Sequence, residues 1–204
     1  MVQKEVRRGR PPKFDRDAVI AAAIESFFRA GYEHTTLADL EGATSVDRST
    51  LYNSFGGKHG LYELAVERYL DRAELSLFGP LHDQNRDGYE AILDLFERLR
   101  MGLTSADALP GCLIVNDMAA GAAPEAAARY RDLLEAGLVA ALTRAGHPEP
   151  AAPAAVLAST VIGVNLVAKL TTDATEIGRL IDGAAATVAA WRSDAADPAP
   201  PQGR

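Results

Sequence analysis

The 204-residue sequence predicts an all-α protein, and three observations support this fold class. Apolar residues recur at helical spacing through most of the chain, in segments rich in the helix formers alanine, leucine and arginine. Glycine and proline fall mainly between these segments, where they end helices. No segment of appreciable length shows the strict alternation of a β-strand. The length suffices for one small and one larger domain that share a continuous helical core.

The first two helices are defined by the residues at their ends. The first helix is predicted over residues 15–30, with an aspartate to cap its amino end and Gly31 to stop it. The second, over residues 37–43, begins with a capping-box variant in which Thr36 and Asp39 satisfy free backbone amides. Both elements are therefore predicted from local chemistry alone.

A second short helix follows after a turn of three or four residues. Asp47 is a good N-cap for residues 48–54, and the Gly56-Gly57 pair then breaks the chain. A long helix is predicted next, over residues 58–77. Two short helices joined by a tight turn form the helix–turn–helix unit, whose second helix enters a DNA major groove.

The charges are distributed unevenly around a net charge of −7. Residues 1–72 contain eleven Lys/Arg and eleven Asp/Glu, whereas residues 73–204 contain ten and seventeen, so the acidity belongs to the second part. Residues 1–13 form a basic N-terminal arm with a local charge of +4, placed to meet phosphates. The Arg-Gly-Arg-Pro run with Arg8 and Arg10 resembles the core of an AT-hook, which follows a minor groove; the alternative is an ordinary basic tail.

Residues 35–61 carry a recognisable motif. It consists of Thr35, Thr36, Leu37, Ala43, Val46, Thr50, Leu51, Tyr52, Phe55 and residues 58–61. This motif resembles the DNA-binding signature of TetR-family transcriptional regulators, and the match covers residues 14–62. The chain departs from the pattern at Ser45, where a glycine is usual, and at Ser54, where an aromatic residue is common. Gly42 also weakens the first short helix by up to about 1 kcal/mol relative to alanine.

The resemblance implies two domains and a set of DNA contacts. Residues 14–62 would form an N-terminal three-helix helix–turn–helix DNA-binding domain. Residues 63–192 would form a larger C-terminal helical domain for effector binding and dimerisation. Separately, the Pro/Ala/Asp-rich composition of residues 193–204 predicts a disordered tail. The candidate DNA-binding residues are Arg8, Arg10, Thr36, Arg48, Ser49, Thr50, Tyr52, Asn53 and Lys58.

Several of these side chains have a chemical reason to contact DNA. Arg48 has a donor fork that fits guanine or a phosphate, and the hydroxyls of Thr50 and Tyr52 can donate to phosphate oxygens. Thr36 and Lys58 each lie at a helix amino terminus, where backbone amides attract an anion. The alternative for this set is an ordinary solvated helix face.

The second part of the chain contains five further predicted helices. They cover residues 89–103, 112–122, 124–145, 154–170 and 175–191. The fourth has no charge before Lys169, but it is too short and too often interrupted by polar or small residues to span a membrane. A helix that is apolar nearly all round must be buried, and a partner subunit explains this best. The resemblance implies that the last two helices form a four-helix bundle across a two-fold axis, so we expect a homodimer.

The second domain is expected to hold a small-molecule effector, because its helices supply many apolar residues with few polar anchors. The candidate effector-binding residues are Met101, Cys112, Asn116, Met118, Tyr130 and Asn165. A sealed apolar core is the alternative. The Gly111-Cys112-Leu113 run with Asn116 resembles a segment in one branch of the family, where the cysteine can sense electrophiles or oxidants. A buried thiol that packs as a small hydrophobe is the alternative for Cys112.

Catalytic and metal-binding patterns are absent from the sequence. The four histidines are scattered without metal-ligand spacing, and no HExxH, GxSxG, Walker loop or strand-linked GxGxxG occurs. We therefore expect no enzyme, no cofactor and no metal. The charged amino terminus is not a signal peptide, and the single cysteine suits a reducing cytoplasm.

Together these features predict a dimeric, ligand-responsive transcriptional repressor. It would bind a pseudo-palindromic operator and release it when an effector moves the helix over residues 58–77. The alternative is an architectural DNA-binding protein that uses the basic arm and has no effector.

Overall fold

The computed structural model describes residues 14–118, 121, 123–171 and 173–196. This part of the chain forms ten α-helices and no strand, which confirms the all-α prediction. The helices are α1 (Arg16–His34), α2 (Leu37–Thr44), α3 (Arg48–Phe55), α4 (Gly57–Ser76), α5 (Gly79–His82), α6 (Gly88–Thr104), α7 (Leu113–Met118), α8 (Pro124–Arg144), α9 (Ala151–Leu170) and α10 (Ala174–Ala196). The basic arm, with Arg8 and Arg10, lies outside the described residues, as do residues 197–204 of the predicted tail.

Helix α1 bends at the residue that was expected to end it. Gly31 has φ 77° and ψ 163°, which interrupts the regular helix, but one further turn continues to His34. Thr35 closes that turn, because both its amide and its hydroxyl donate to the Gly31 carbonyl, at 3.2 and 2.7 Å. The predicted stop is therefore a kink, and the helix runs four residues past Ala30.

The capping box at the start of α2 is present as predicted. The Asp39 amide donates to the Thr36 hydroxyl at 3.2 Å, and the Thr36 amide donates to the Asp39 carboxylate at 2.8 Å. The Thr36 hydroxyl also donates to the Asp39 carboxylate, and this hydrogen bond, followed by that of the Thr36 amide, lowers the pKa of Asp39. At the other end of α2, Ser45 is left-handed, with φ 57°, in the position where the family usually has glycine. A non-glycine residue in this conformation costs roughly 1–2 kcal/mol.

Helices α3 and α4 meet at the Gly56-Gly57 pair, and both glycines have positive φ, at 77° and 75°. Asp47 caps α3 by accepting from the Thr50 amide at 2.7 Å, as predicted. A side chain at Gly60 would overlap the Phe55 carbonyl, so α4 can leave α3 only because a hydrogen stands there. The orientation of the second short helix is therefore fixed by backbone close to its carboxyl end.

One continuous core joins the two parts of the chain. In the first part, α1, α3 and α4 bury a set of aromatic and aliphatic side chains: Phe27, Phe28, Leu51, Phe55, Leu61, Tyr62 and Ala65. The Arg16 guanidinium donates to the Ser54 carbonyl at 2.9 Å and lies 4.7 Å from the centre of the Phe55 ring. Helix α4 also buries Leu70 in the same core cluster as the second part.

Several boundaries in the second part differ from the predicted ones. A short helix, α5, occupies what was expected to be a loop, and α7 ends at Met118, with residues 119, 120 and 122 outside the described residues. Helix α9 begins three residues early, because Pro153 falls within its first turn, where the missing amide is not needed. Helix α10 continues to Ala196 and so includes residues that were assigned to a disordered tail.

Helix α6 is the central element of the second part. It packs against α8 and α10, and Asp87 caps it by accepting from the Glu90 amide at 3.0 Å. At its first residue, Gly88, a side chain would overlap the Ala141 carbonyl of α8. The two helices therefore cross backbone against backbone at this point.

Helix α9 is long and apolar enough to span a membrane by length and composition, and it is the one such helix in the described part of the chain. Within a single chain, only 39% of the most apolar 18-residue stretch of this helix is buried. Val161, Val164 and Asn165 face the core, whereas Val156 and Leu170 are 63% and 87% exposed. The core helices of soluble proteins can have the same length and apolar composition, so these two properties do not identify a membrane span. The uncovered apolar face is the observation that remains to be explained.

The strained turn gives a first prediction. Ser45→Gly should raise the free energy of unfolding by about 0.5–1 kcal/mol, because glycine adopts positive φ without a Cβ penalty. Gly42→Ala should raise the free energy of unfolding by up to about 1 kcal/mol, because alanine has the higher helix propensity. The added Cβ would meet no atom within 4 Å. Urea denaturation measures both changes. Ser45→Ala is the control and should give no gain; a loss of stability in Ser45→Gly would contradict the assigned strain.

Candidate nucleic-acid interface and cavity

Helix α3 presents a polar face to solvent. Arg48, Ser49, Tyr52 and Asn53 are exposed and Thr50 is half-buried, whereas the two apolar residues of the helix lie in the core. The structure therefore brings together the five candidate recognition residues of this helix on its outer side. This face offers guanidinium, amide and hydroxyl donors, which can meet base edges and phosphates in a groove.

Arg48 is held by an acidic partner in the neighbouring helix. Its guanidinium lies 3.2 Å from a Glu41 carboxylate oxygen, and its backbone amide donates to the other oxygen at 2.7 Å. The pair fastens the start of α3 to α2. To contact DNA, the Arg48 guanidinium must therefore either bind Glu41 and DNA at the same time or break its ion pair with Glu41. Glu41 was not among the predicted site residues, because its seven-residue separation from Arg48 spans the turn between two helices and gives no signal in the sequence.

The rest of the face is held by weaker interactions. The Asn53 side chain donates to the Ser49 hydroxyl at 3.2 Å, one turn earlier in the helix. Tyr52 is 56% exposed, and its ring stands beside Gly57, where a side chain would collide with it. A rigid aromatic ring with a free phenol end is a good phosphate donor at the edge of a recognition helix.

Thr36 and Lys58 lie at helix starts, as predicted, but both make contacts within the protein. The Thr36 hydroxyl donates to Asp39 at 2.7 Å. The Lys58 ammonium donates to the Glu33 carbonyl at 3.2 Å and lies 4.4 Å from the centre of the Tyr32 ring. Tyr32 was missed by the sequence analysis, and it positions the lysine beside the kinked end of α1.

A buried carboxylate connects the DNA-binding part to α7. Asp117 is buried, accepts from the Tyr62 hydroxyl at 2.7 Å, and receives the Tyr32 amide at 3.4 Å. Burial, followed by the hydrogen bond to Asp117, raises the pKa of Tyr62 far above its usual range. The signal in the sequence was an acid inside the apolar run of α7, which the sequence analysis did not weigh.

A cavity of about 330 Å³ lies in the second part, bounded by α4, α6, α8, α9 and the segment before α7. Four of the six candidate effector residues line it: Met101, Cys112, Tyr130 and Asn165. The other two, Asn116 and Met118, are not part of its wall. The Asn116 amide donates instead to the Pro110 carbonyl at 3.1 Å, and Met118 packs against the core.

The polar residues contributed by α4 and α6 were missed by the sequence analysis. Tyr69, Arg72 and Ser76 of α4 and Arg98 of α6 line the cavity. They come from helices that were predicted correctly, but which side of each helix faces the cavity depends on how the helices pack. Hydrophobic spacing alone does not decide that for residues at the edge of an apolar stripe.

Cys112 is buried beside two tyrosines. Burial raises the pKa of its thiol, while nearby backbone amides and the Tyr69 and Tyr130 hydroxyls act in the opposite direction. The thiol is therefore neutral near pH 7, which makes it a weak nucleophile. The geometry favours the interpretation of Cys112 as a small hydrophobe over that of a sensor.

Within residues 14–118, 121, 123–171 and 173–196, no group of three or more His, Cys, Asp or Glu is placed to hold a metal ion.

Comparison with known proteins identifies the first part of the chain. A family model described as bacterial regulatory proteins, tetR family, matches residues 19–65. The chain is 38% identical over 110 residues to the transcriptional repressor ComR of Escherichia coli, covering 54% of this chain and 52% of ComR. It is 33% identical over 108 residues to the regulator YezE of Bacillus subtilis, covering 53% and 55%. The chain thus matches about half the length of these relatives.

Solved structures share this fold over most of the chain at low sequence identity. A triple cysteine mutant of the TetR-family regulator CifR in complex with 26-base-pair operator DNA has a TM-score of 0.74 and 24% identity, over 87% of this chain and 98% of that chain. Reduced NemR of E. coli has a TM-score of 0.71 and 21% identity, over 85% and 94%. All these proteins are described as regulators and none as an enzyme, in agreement with the sequence analysis.

The buried tyrosines give a second prediction, for alkaline pH. Burial raises the pKa values of Tyr62, Tyr69 and Tyr130, so the folded protein keeps protons that the unfolded chain releases. The stabilisation is complete below the ordinary tyrosine pKa of about 10 and is lost as the pH rises above it. Each tyrosine held neutral contributes a slope of up to about 1.4 kcal/mol per pH unit.

Urea unfolding of the reduced protein between pH 8 and pH 11 measures this slope. Tyr130→Phe removes one titrating group and should flatten the decline above pH 10, whatever it does to stability at pH 8. Parallel curves for the two proteins would contradict the assignment for Tyr130.

Proposed function

Because the chain belongs to the TetR family of bacterial regulatory proteins, we propose that it is a dimeric, effector-responsive transcriptional repressor. The observation that carries the proposal is the polar outer face of α3, held by a buried core on its other side. The names of the relatives support it, since ComR is a repressor and CifR is seen with operator DNA. The site of action would be the cytoplasm.

The DNA contacts follow from the exposed donors. Arg48 and Tyr52 would make base or phosphate contacts, with Ser49, Thr50 and Asn53 beside them. Thr36 and Lys58 would bind phosphates at the starts of α2 and α4, and Arg8 and Arg10 would enter the adjacent minor groove. The Lys58 ammonium already lies at the protein surface beside Tyr32, so a small movement away from the Glu33 carbonyl would bring it to a phosphate.

A third prediction tests the recognition face. Arg48→Ala and Tyr52→Ala should each weaken binding to a duplex selected by this protein from a random pool by at least about 1 kcal/mol, since each loses a base or charge-assisted phosphate contact. Fluorescence anisotropy at fixed salt measures this. Arg131→Ala, which removes an exposed arginine of α8, is the control and should bind normally. Unchanged affinity in both α3 variants would disprove the assignment.

Dimerisation would cover the apolar surface of the last two helices. On α9, Val156, Leu166 and Leu170 are exposed, and Leu180 is exposed on α10. The α9 positions recur at spacings of ten and four residues, which places them along one side of the helix. A second copy of this surface would remove them from water and place two recognition helices on one duplex. Val161 and Val164 are buried within the protomer and belong to its core instead.

The dimer surface gives a fourth prediction. Leu166→Glu should raise the dimer dissociation constant by at least about a hundredfold, because an unpaired charge in a desolvated contact costs several kcal/mol. Sedimentation or light scattering measures the change. Leu75→Glu is a matched control on α4, where the leucine is 81% exposed, and it should remain dimeric. A fully dimeric Leu166→Glu protein would place the interface elsewhere.

The effector response would run through α4. The carboxyl-terminal half of this helix lines the cavity with Tyr69, Arg72, Ala73 and Ser76, and its amino-terminal half packs against α3. An effector that fits the cavity better when α4 has moved would shift the population toward that state and change the separation of the two recognition helices. The buried contact between Asp117 and Tyr62 would transmit movement of α7 in the same way.

The alternative to the repressor is that this chain acts as an architectural DNA-binding protein without an effector. The two differ in specificity, because a repressor should prefer its selected duplex over random DNA by at least about a thousandfold. Measuring both affinities at the same salt concentration decides between them. A ratio below about tenfold would rule out the repressor.

A further inference from the structure

The cavity is positively charged in a protein of negative net charge. Its lining includes two arginines, Arg72 and Arg98, and no aspartate or glutamate among the residues described. The second part of the chain as a whole is acidic, so this local excess of positive charge does not follow from composition. It is a property of the way α4 and α6 pack.

Neither arginine has a carboxylate of its own. Arg98 lies 3.1 Å from Asp94, but the same oxygen of Asp94 lies 2.7 Å from Arg86, so one carboxylate serves two guanidinium groups. Arg72 forms no ion pair within the described part of the chain. The acid next to it, Asp71, lies 3.6 Å from Arg129. The cavity therefore carries positive charge that the protein does not neutralise.

Further inside, the cavity holds a hydrogen-bond donor without a proper acceptor. Tyr130 is 1% exposed, and its hydroxyl makes no hydrogen bond of ordinary geometry, although the Cys112 thiol lies beside it. A buried hydroxyl without a partner costs roughly 1–3 kcal/mol. Such a group is stabilised by any ligand that brings an acceptor oxygen into the cavity.

Besides these groups and the polar side chains of Tyr69, Ser76 and Asn165, the cavity has an apolar stretch of wall. It is formed by side chains and backbone of α4, α6 and the loop that follows α6: Ala73, Leu77, Leu99, Met101, Gly102 and Leu103. The volume of about 330 Å³ is at the small end of the range for ligand pockets. A compact apolar group fits this wall, and a large ring system does not.

We propose that the cavity binds a small organic acid, with its carboxylate among the donors of Arg72, Arg98 and Tyr130 and its apolar body against the leucines. A carboxylate accepts hydrogen bonds only, so it matches guanidinium groups and a hydroxyl alike. An amine of the same shape would meet like charge, and an alcohol would leave the arginines without a counter-charge. The inference rests on the proposed function in one respect, that this cavity is the effector site.

Calorimetric titration of the full-length protein, without DNA, tests the ligand class. The probes are octanoate against octanol and octylamine, and phenylacetate against 2-phenylethanol, so each acid has a partner with the same apolar body. We expect at least one acid to bind about tenfold or more tighter than its alcohol, the size of a charge-assisted hydrogen bond, and octylamine not to bind. Equal affinities within both pairs, or no binding by either acid, would overturn the proposal.

A variant tests the role of the charge itself. Arg72→Gln should weaken binding of the preferred acid by about fivefold, the upper range for a solvent-accessible pair, and leave the alcohol unchanged. It should fold normally, because the guanidinium makes no hydrogen bond or ion pair within the described residues. Arg131→Gln makes the same change on an exposed arginine of α8 and should bind both probes normally. Tyr130→Phe should also weaken binding of the preferred acid. If both cavity variants bind that acid with unchanged affinity, the proposal is overturned.

The two proposals fail in different ways. An acid that binds tightly but leaves the affinity for the selected duplex unchanged would preserve the ligand class and overturn the effector role. Loss of specific DNA binding in the unliganded protein would overturn the repressor and leave the calorimetric result standing.

Discussion

Helix α4 is the element on which the rest of the molecule depends, because its side chains are buried in both halves of one core. Leu61 and Tyr62 pack with the recognition unit, and Leu70 packs with the second part. The close approach of Gly60 to the Phe55 carbonyl leaves little freedom at the α3 end. At the other end, the same helix forms one wall of the cavity. In the proposed response, a displacement of α4 at the cavity would move α3 with it, since packed interiors transmit strain.

The tie between Asp117 and Tyr62 adds a second connection between the halves. A buried carboxylate is costly unless donors satisfy it, and here one phenol and one backbone amide supply them from α4 and α1. Each donor reaches Asp117 only while α7 keeps its position. The segment before α7 contributes Gly111 and Cys112 to the cavity. The polar contact and the cavity wall are therefore parts of one structural unit.

The sequence was sufficient for the elements whose signals are local. Thr36 with Asp39, and Asp47, cap the helices that they were expected to cap, because capping chemistry acts within three residues. The sequence was insufficient for features that depend on how the helices pack against one another. Arg72 and Arg98 line the cavity only because α4 and α6 turn those sides toward each other, and Asn116 turns away to the Pro110 carbonyl. The extra turn of α1 after the kink at Gly31 also could not be predicted, because it is closed by the Thr35 hydroxyl donating to the Gly31 carbonyl, a contact that residue spacing does not reveal.

The pairing of Arg48 with Glu41 has a consequence for how this surface would search a genome. In the proposed DNA complex, the Glu41 carboxylate beside Arg48 would repel phosphates at every site along a duplex and so would shorten the time spent on random sequence. A phosphate or a base edge that offers acceptors to the guanidinium would compensate for opening the pair, but only the base edge differs from site to site, so discrimination between sites would be kept. An acid that weakens contact everywhere can in this way improve the ratio by which one site is found among many.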